Sequence, residues 1–273
     1  MFPIKDNIPT ERFPLVTVGL ILINFVAYVL AIRHGGSLIS GPDLHEVLKY
    51  GATPYTIAHN GAHCAEFGRQ TASGLQAVGT FCNGQRLPDG TLAHIGSGQF
   101  LPTWETVLSS MFMHASILHI AGNMLFLWIF GNNLEDAMGP VKFLLFYLAG
   151  GLAALGLQIA VDPSSTAPTL GASGAIAAVL GGYIVLYPRA RVLTVVFIVL
   201  FFTVIELPAW VMLGIWFAEQ AVFGVTNLTN PTGSGGGVAY FAHVGGFVFG
   251  LLAVRLLVRR RGSPPVPTRT PVY

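Results

Sequence analysis

The segment Thr106–Leu134, TVLSSMFMHASILHIAGNMLFLWIFGNNL, contains no Lys, Arg, Asp or Glu, yet it carries His114, His119 and Asn123. An apolar run of roughly 18 or more residues with few charges reads as a membrane-spanning helix. Similar uncharged stretches occupy Leu15–Ile32, Phe143–Val161, Pro163–Pro188 and Gln220–Val254. The last begins with a Gly-rich piece, Gly224–Gly237, so its spanning part starts near Val238. Composition agrees. Of the 273 residues 10% are charged and 53% hydrophobic, against roughly 25% charged in a soluble chain. So few charges cannot cover a soluble surface, and so much apolar content excludes disorder. A net charge of +2 without a clustered basic face gives no case for nucleic-acid binding.

Val192–Phe223 is too long for one span: at ~1.5 Å per residue it would reach about 48 Å, against a ~30 Å hydrocarbon core. Within it, Glu206-Leu207-Pro208 suits a helix start, because proline and an acidic residue both favour the first turn. The reading is therefore a span from Pro208, preceded by an apolar piece, Val192–Ile205, lying along the membrane surface. Six spans follow, at 15–32, 110–131, 143–161, 171–187, 207–223 and 238–258. Basic residues near the span ends set the orientation. Lys5, Arg12, Lys142, Arg189, Arg191, Arg255 and Arg259–Arg261 fall on one side, and the short loops Asp162–Leu170 and Gly224–Gly237 carry none. Both termini are expected on the cytoplasmic side, in a multi-pass protein of a bacterial cell membrane. Residues 1–258 form the membrane domain, which includes a long extracytoplasmic first loop, 33–103. The basic, Pro-rich tail 259–273 is expected to be disordered beside anionic lipid. Cys64 and Cys82 both lie in the first loop; facing an oxidising compartment they can form one disulfide or stand as two thiols.

Polar side chains inside spans are costly and mark a function or a buried partner. His119 and Asn123, four residues apart, share one face of the second span, while His114 points elsewhere, toward the membrane mouth. The fourth span opens with Gly171-Ala-Ser173-Gly174, and the sixth carries His243. Given the orientation above, all three spans run the same way and hold these groups about one to two turns in, ~5–15 Å deep. Ser173 in a first helical turn meets free N–H groups that favour developing negative charge, as acyl transfer needs. Small residues along the fourth and sixth spans, including Gly246 and Gly250, let the two helices pack closely. Close packing brings Ser173 within reach of His243. Any one of these signals arises by chance; together they favour a Ser–His nucleophile pair.

At these residues the sequence resembles the rhomboid family of intramembrane serine proteases. The resemblance is carried by His114-x4-His119-x3-Asn123, Gly171-x-Ser173-Gly174 and Ala242-His243-x2-Gly246-x3-Gly250. It covers roughly Leu15 to Val258. It implies an all-α, six-helix bundle around a cavity open to the outer face. Ser173 would be the nucleophile and His243 the general base and acid, a dyad without a carboxylate. The Ser173 N–H, Asn123 and His119 would form the oxyanion hole, with His114, Gly171, Gly174, Gly246 and Gly250 supporting. No metal or other cofactor is implied. Substrates would be single-span membrane proteins, cut in or near the membrane, and lipid would be the other partner. Some members carry an aromatic residue one turn after the serine, stacked on the histidine; here that position is Ala177, so His243 needs another orienting group. The Gly-rich 224–237 loop resembles the family's mobile cap.

Rival readings are weaker. His114-Ala-Ser-Ile-Leu-His119 lacks the spacing and glutamate of a His-Glu-x-x-His zinc motif. No paired acids in the spans suggest an aspartyl protease, and no inverted repeat suggests a transporter. The main alternative is a catalytically silent relative that binds and routes membrane helices, but such relatives typically lack the serine or the histidine.

Overall fold

The computed structural model describes residues 2–59, 62–71, 74–96, 100–198, 201–229 and 238–258. Its spine is helical. Strand β1 (Phe2–Asp6) leads into α1 (Leu15–Ile32). The first loop contains the two-residue strands β2 (Gly36–Ser37) and β3 (Gly41–Pro42), and the short helices α2 (Leu44–Tyr50) and α3 (Pro54–Ala58). A hairpin of β4 (Cys64–Thr71) and β5 (Gly74–Cys82) follows. Helix α4 (Thr103–Ser109) and a 3-10 turn at Ser110–Phe112 precede α5 (Ile117–Phe126). A π-helical turn at Leu127–Gly131 joins α5 to α6 (Asn132–Met138), making one rod, Ile117–Met138. Then come α7 (Pro140–Val161), α8 (Ser173–Leu186), the strands β6 (Arg191–Ile198) and β7 (Phe201–Pro208), α9 (Ala209–Thr229) and α10 (Tyr240–Leu257).

Among the described residues five helices are long and apolar enough to cross a membrane: α1, the α5–α6 rod, α7, α9 and α10. Helix α8, the fourth expected span, has 14 residues and rises only ~21 Å, short of a ~30 Å core. It is also the centre of the bundle, with every residue from Gly174 to Tyr183 buried. Its neighbours approach at backbone level. A Cβ on Gly246 would collide with the carbonyl oxygen of Gly174, and one on Gly250 with that of Ala178. These α10 glycines therefore lock α10 against α8.

Several sequence expectations need correction. The chain is predominantly helical, not all-α. The second membrane helix starts at Ile117 instead of 110, because Ser116 is an effective N-cap: its Oγ accepts from His119 N–H at 3.2 Å. It runs on to Met138, where Gly139, at φ 84°, ends it. Helix α7 begins at Pro140, the proline occupying the first turn. The apolar piece expected along the membrane surface proves extended where it is described: Val192–Ile198 and Phe201–Ile205 belong to an antiparallel three-stranded sheet, ordered β1-β6-β7, with Val195 paired to both Phe2 and Val204. Glu206 sits in β7, outside the membrane helix, with Arg191 Nη1 3.2 Å away. The sequence after Phe223 is not loop: α9 continues through Thr229. The remainder of the expected cap, 230–237, and the tail, 259–273, lie outside the described residues.

Two buried acids join the end of the bundle carrying the sheet. Pro14 offers α1 no capping side chain. Instead the Glu135 carboxylate accepts from Val16 N–H (2.9 Å), Thr17 N–H (2.8 Å) and Thr17 Oγ1–H (2.8 Å). It thus satisfies orphan donors and complements the helix dipole. Asp6 Oδ2 accepts from Asn133 Nδ2 at 2.6 Å and from the Tyr183 hydroxyl, tying β1 to α6 and α8. Burial pushes the Asp6 carboxyl up from 3.8 to about 6, against these hydrogen bonds, which favour the charged form.

The first loop is a folded unit. Cys64 and Cys82 face each other across the β4–β5 ladder and are joined as a disulfide. The loop is bonded to the segment leading into α8: Ala52 and Thr169 exchange backbone hydrogen bonds at 3.0 and 2.8 Å, and Tyr55 N–H donates to Ser165 O at 3.0 Å.

Candidate active site

The first turns of α5, α8 and α10 open on one cavity of about 640 Å3, lined among others by His119, Asn123, Gly171, Ser173 and His243. Ser173 is the first residue of α8. The chain reaches it through Gly171 at φ 114°, a conformation that L side chains rarely adopt. Space also demands glycine there, since a Cβ would lie 2.9 Å from the His119 ring and 3.6 Å from Asn123 Nδ2. This turn is held from behind. Gly171 N–H donates to Ser110 O at 2.9 Å, and His114 Nε2 lies 3.5 Å from Ala172 N, long for a hydrogen bond. His114 is therefore not at the mouth: it is fully buried, packed edge-on to the His119 ring at 5.1 Å.

His243 enters from the first turn of α10. Its Nε2 lies 2.8 Å from Ser173 Oγ and its Nδ1 lies 2.7 Å from Gln220 Oε1. Gln158 Oε1, from α7, accepts from Ala242 N–H at 3.2 Å and so caps the helix start beside it.

Three residues lining this cavity carry donors: Ser173, His119 and Asn123. The Ser173 N–H belongs to a first helical turn, which has no intrahelical acceptors. His119 Nδ1 accepts from Ala115 N–H at 3.3 Å; in a neutral ring that leaves the proton on Nε2, on the edge of the ring that faces Gly171. Asn123 Nδ2 is buried with no hydrogen-bond partner among the described residues. A buried amide donor left unpaired beside a nucleophile is suited to a charge that appears only during reaction. Among the described residues no group of three or more His, Cys, Asp or Glu side chains is placed to hold a metal ion.

Of the site residues expected from sequence, His119, Asn123, Gly171, Ser173, Gly174 and His243 line this cavity; His114 packs behind His119, Gly246 and Gly250 lie in the α8–α10 contact, and the cysteines lie apart in the first loop. The sequence reading passed over Gln220 and Trp216, four residues apart on one face of α9. Trp216 lies tilted 37° against His243, ring centroids 5.7 Å apart, so the aromatic that Ala177 does not supply comes from α9. The first loop also reaches the cavity, through Leu44 and Val47 of α2.

Fold and site together describe a polytopic helical membrane protein with a serine–histidine pair in a part-buried cavity. A family model described as the rhomboid domain matches residues 102–260, more than half of the chain. The chain belongs to the rhomboid family. It is 33% identical over 151 residues to rhomboid protein 1, mitochondrial, of Saccharomyces cerevisiae, covering 54% of this chain and 40% of that one. It is 33% identical over 156 residues to the rhomboid protease GluP of Bacillus subtilis, covering 56% and 26%. To the presenilin-associated rhomboid-like protein, mitochondrial, of Homo sapiens it is 34% identical over 97 residues, covering 35% and 25%. The chain thus spans less than half the length of these relatives. The five membrane-length helices support residence in a membrane, and the relatives, mitochondrial and bacterial alike, do not select the bacterial one expected from sequence.

Proposed function

We propose that the protein is an intramembrane serine endopeptidase that cuts single-span membrane proteins in or near their membrane segment. The observation that carries this reading is the 2.8 Å approach of His243 Nε2 to Ser173 Oγ at the start of a buried helix. The nucleophile and base are already in contact, as acyl transfer requires.

In this mechanism His243 Nε2 takes the Ser173 hydroxyl proton as Oγ attacks the scissile carbonyl. The tetrahedral oxyanion is met by the Ser173 N–H, Asn123 Nδ2–H and His119 Nε2–H. The imidazolium returns its proton to the leaving amine. Water, deprotonated by the same nitrogen, then releases the acyl-enzyme. A helical peptide bond must unwind before it can reach Oγ, so Gly or Pro near the cut lowers the cost.

The proposed layout is six spans with both termini cytoplasmic. The basic residues near the span ends support this orientation, and α8, buried from Gly174 to Tyr183, acts as a short span beside the five longer ones. The first loop, braced by its disulfide, would contact substrate through Leu44 and Val47. The test is cleavage of a reporter membrane helix by purified full-length protein, with Ser173→Ala and His243→Ala in parallel. Loss of cleavage in both variants is the expected result, and equal cleavage by either one overturns the reading.

A further inference from the structure

His243 has two ring nitrogens, and only one of its neutral tautomers can act as a base toward Ser173. With the proton on Nδ1, Nε2 offers a lone pair to the serine hydroxyl. With the proton on Nε2, the ring donates to Oγ and cannot remove its proton. The choice depends on what Nδ1 meets, and Nδ1 lies 2.7 Å from Gln220 Oε1. A carboxamide oxygen only accepts, so this contact places the proton on Nδ1 and frees Nε2, 2.8 Å from Ser173 Oγ. The three side chains form a line, Gln220 to His243 to Ser173, spanning α9, α10 and α8. We propose that Gln220 is the positioning residue of this site, filling with a neutral amide the place that a carboxylate holds in a serine–histidine–aspartate triad. The inference rests on the serine-protease reading and names what orients its base.

The choice of an amide has a physical basis. An unpaired carboxylate at this depth carries a large desolvation penalty, whereas an amide carries a small one. The amide still opposes ring rotation and stabilises the imidazolium through its carbonyl dipole. Trp216 presses its ring on His243 from one turn earlier on α9, so a single helix holds both a nitrogen and a face of the base. No aromatic is needed at Ala177.

The test uses the full chain in liposomes with a reporter membrane helix. It compares wild type, Ser173→Ala, Gln220→Met, Gln220→Asn and Gln220→Glu. Methionine keeps the length and volume but removes the acceptor. Asparagine withdraws it by one methylene, providing a second test if the methionine variant fails to fold. Both are expected to lower kcat about tenfold, with KM within about twofold, since a neutral hydrogen bond is lost at the base alone. Labelling of Ser173 by a fluorophosphonate, which needs no docked helix, slows by the same factor. Glutamate, which keeps an acceptor at the same reach, restores kcat to within about threefold of wild type. Wild-type kcat and labelling rates in the methionine and asparagine variants overturn the proposal. So does a loss that appears only in KM or thermal stability, which would mark Gln220 as packing. Those outcomes leave the protease reading standing as long as Ser173→Ala is inactive. Cleavage by Ser173→Ala at the wild-type rate removes the protease reading, and this inference with it.

Discussion

Replacing Asn123 with alanine separates catalysis from stability with unusual clarity. In the resting structure Asn123 Nδ2 is buried and has no partner among the described residues. Removing it therefore breaks no ground-state hydrogen bond at that atom and relieves a donor whose burial costs about 1–3 kcal/mol. If Nδ2 meets the oxyanion, its contribution appears only in the transition state. Loss of one such donor costs about 2.7–4 kcal/mol, or roughly 100- to 1,000-fold in kcat. Substrate binding does not use it, so KM stays within about twofold. The two effects separate: Asn123→Ala should cut about 100-fold or more slower while its melting temperature in detergent holds or rises. Steady-state cleavage of a reporter helix gives kcat and KM, and thermal unfolding of the same preparations gives stability. A kcat within about threefold of wild type, or a drop in melting temperature proportionate to the lost activity, refutes the oxyanion assignment and makes Asn123 a packing residue.

Other expectations follow from the buried acids and the loop. Glu135→Ala strips three hydrogen bonds from the start of α1 and should destabilise the bundle by about 3 kcal/mol in denaturant unfolding from micelles; an unchanged midpoint contradicts the capping role. Asp6 has a folded-state pKa of about 6 against 3.8, so the folded chain binds its proton more tightly. Its contribution to stability is fully present below the lower value and is lost as pH rises through the higher one. That amounts to about 3 kcal/mol between pH 3.5 and pH 7. Asp6→Asn, which keeps an acceptor for Tyr183 and Asn133, should abolish that slope, as thermal unfolding over this range would reveal. Reduction of Cys64–Cys82 should open the β4–β5 hairpin to protease, as seen by limited digestion with and without reductant, while the bundle stays intact.

The membrane helices were legible because missing charge is read directly from sequence, and α1, α7 and α10 start and stop within three residues of expectation. The shared level of Ser173, His243, His119 and Asn123 was legible for the same reason: polar groups stand out in apolar spans. Strand β6–β7 pairing was not. Val192–Ile205 is apolar but for Thr194 and Thr203 and shows no strict alternation, a pattern compatible with a surface-lying apolar segment as well as with a hairpin, and the third strand, Phe2–Asp6, lies far away in sequence. His114 was misplaced because helical spacing was extended across Met113–Ser116, where the backbone opens and Ser116 restarts the helix. Gln220 escaped notice because a span of 207–223 places it in the last turn, at the membrane boundary, where a polar side chain needs no explanation. With the helix running on to Thr229, Gln220 lies well inside it, where a polar side chain needs a partner.

The central claim is that Ser173 and His243 cut membrane helices. Its most direct measurement is cleavage of a reporter membrane helix in liposomes by wild type, Ser173→Ala and His243→Ala, with a chelator control. Cleavage by wild type alone, unchanged by chelator, is the predicted result. Cleavage by either variant at the wild-type rate, or loss of wild-type cleavage with chelator, contradicts it.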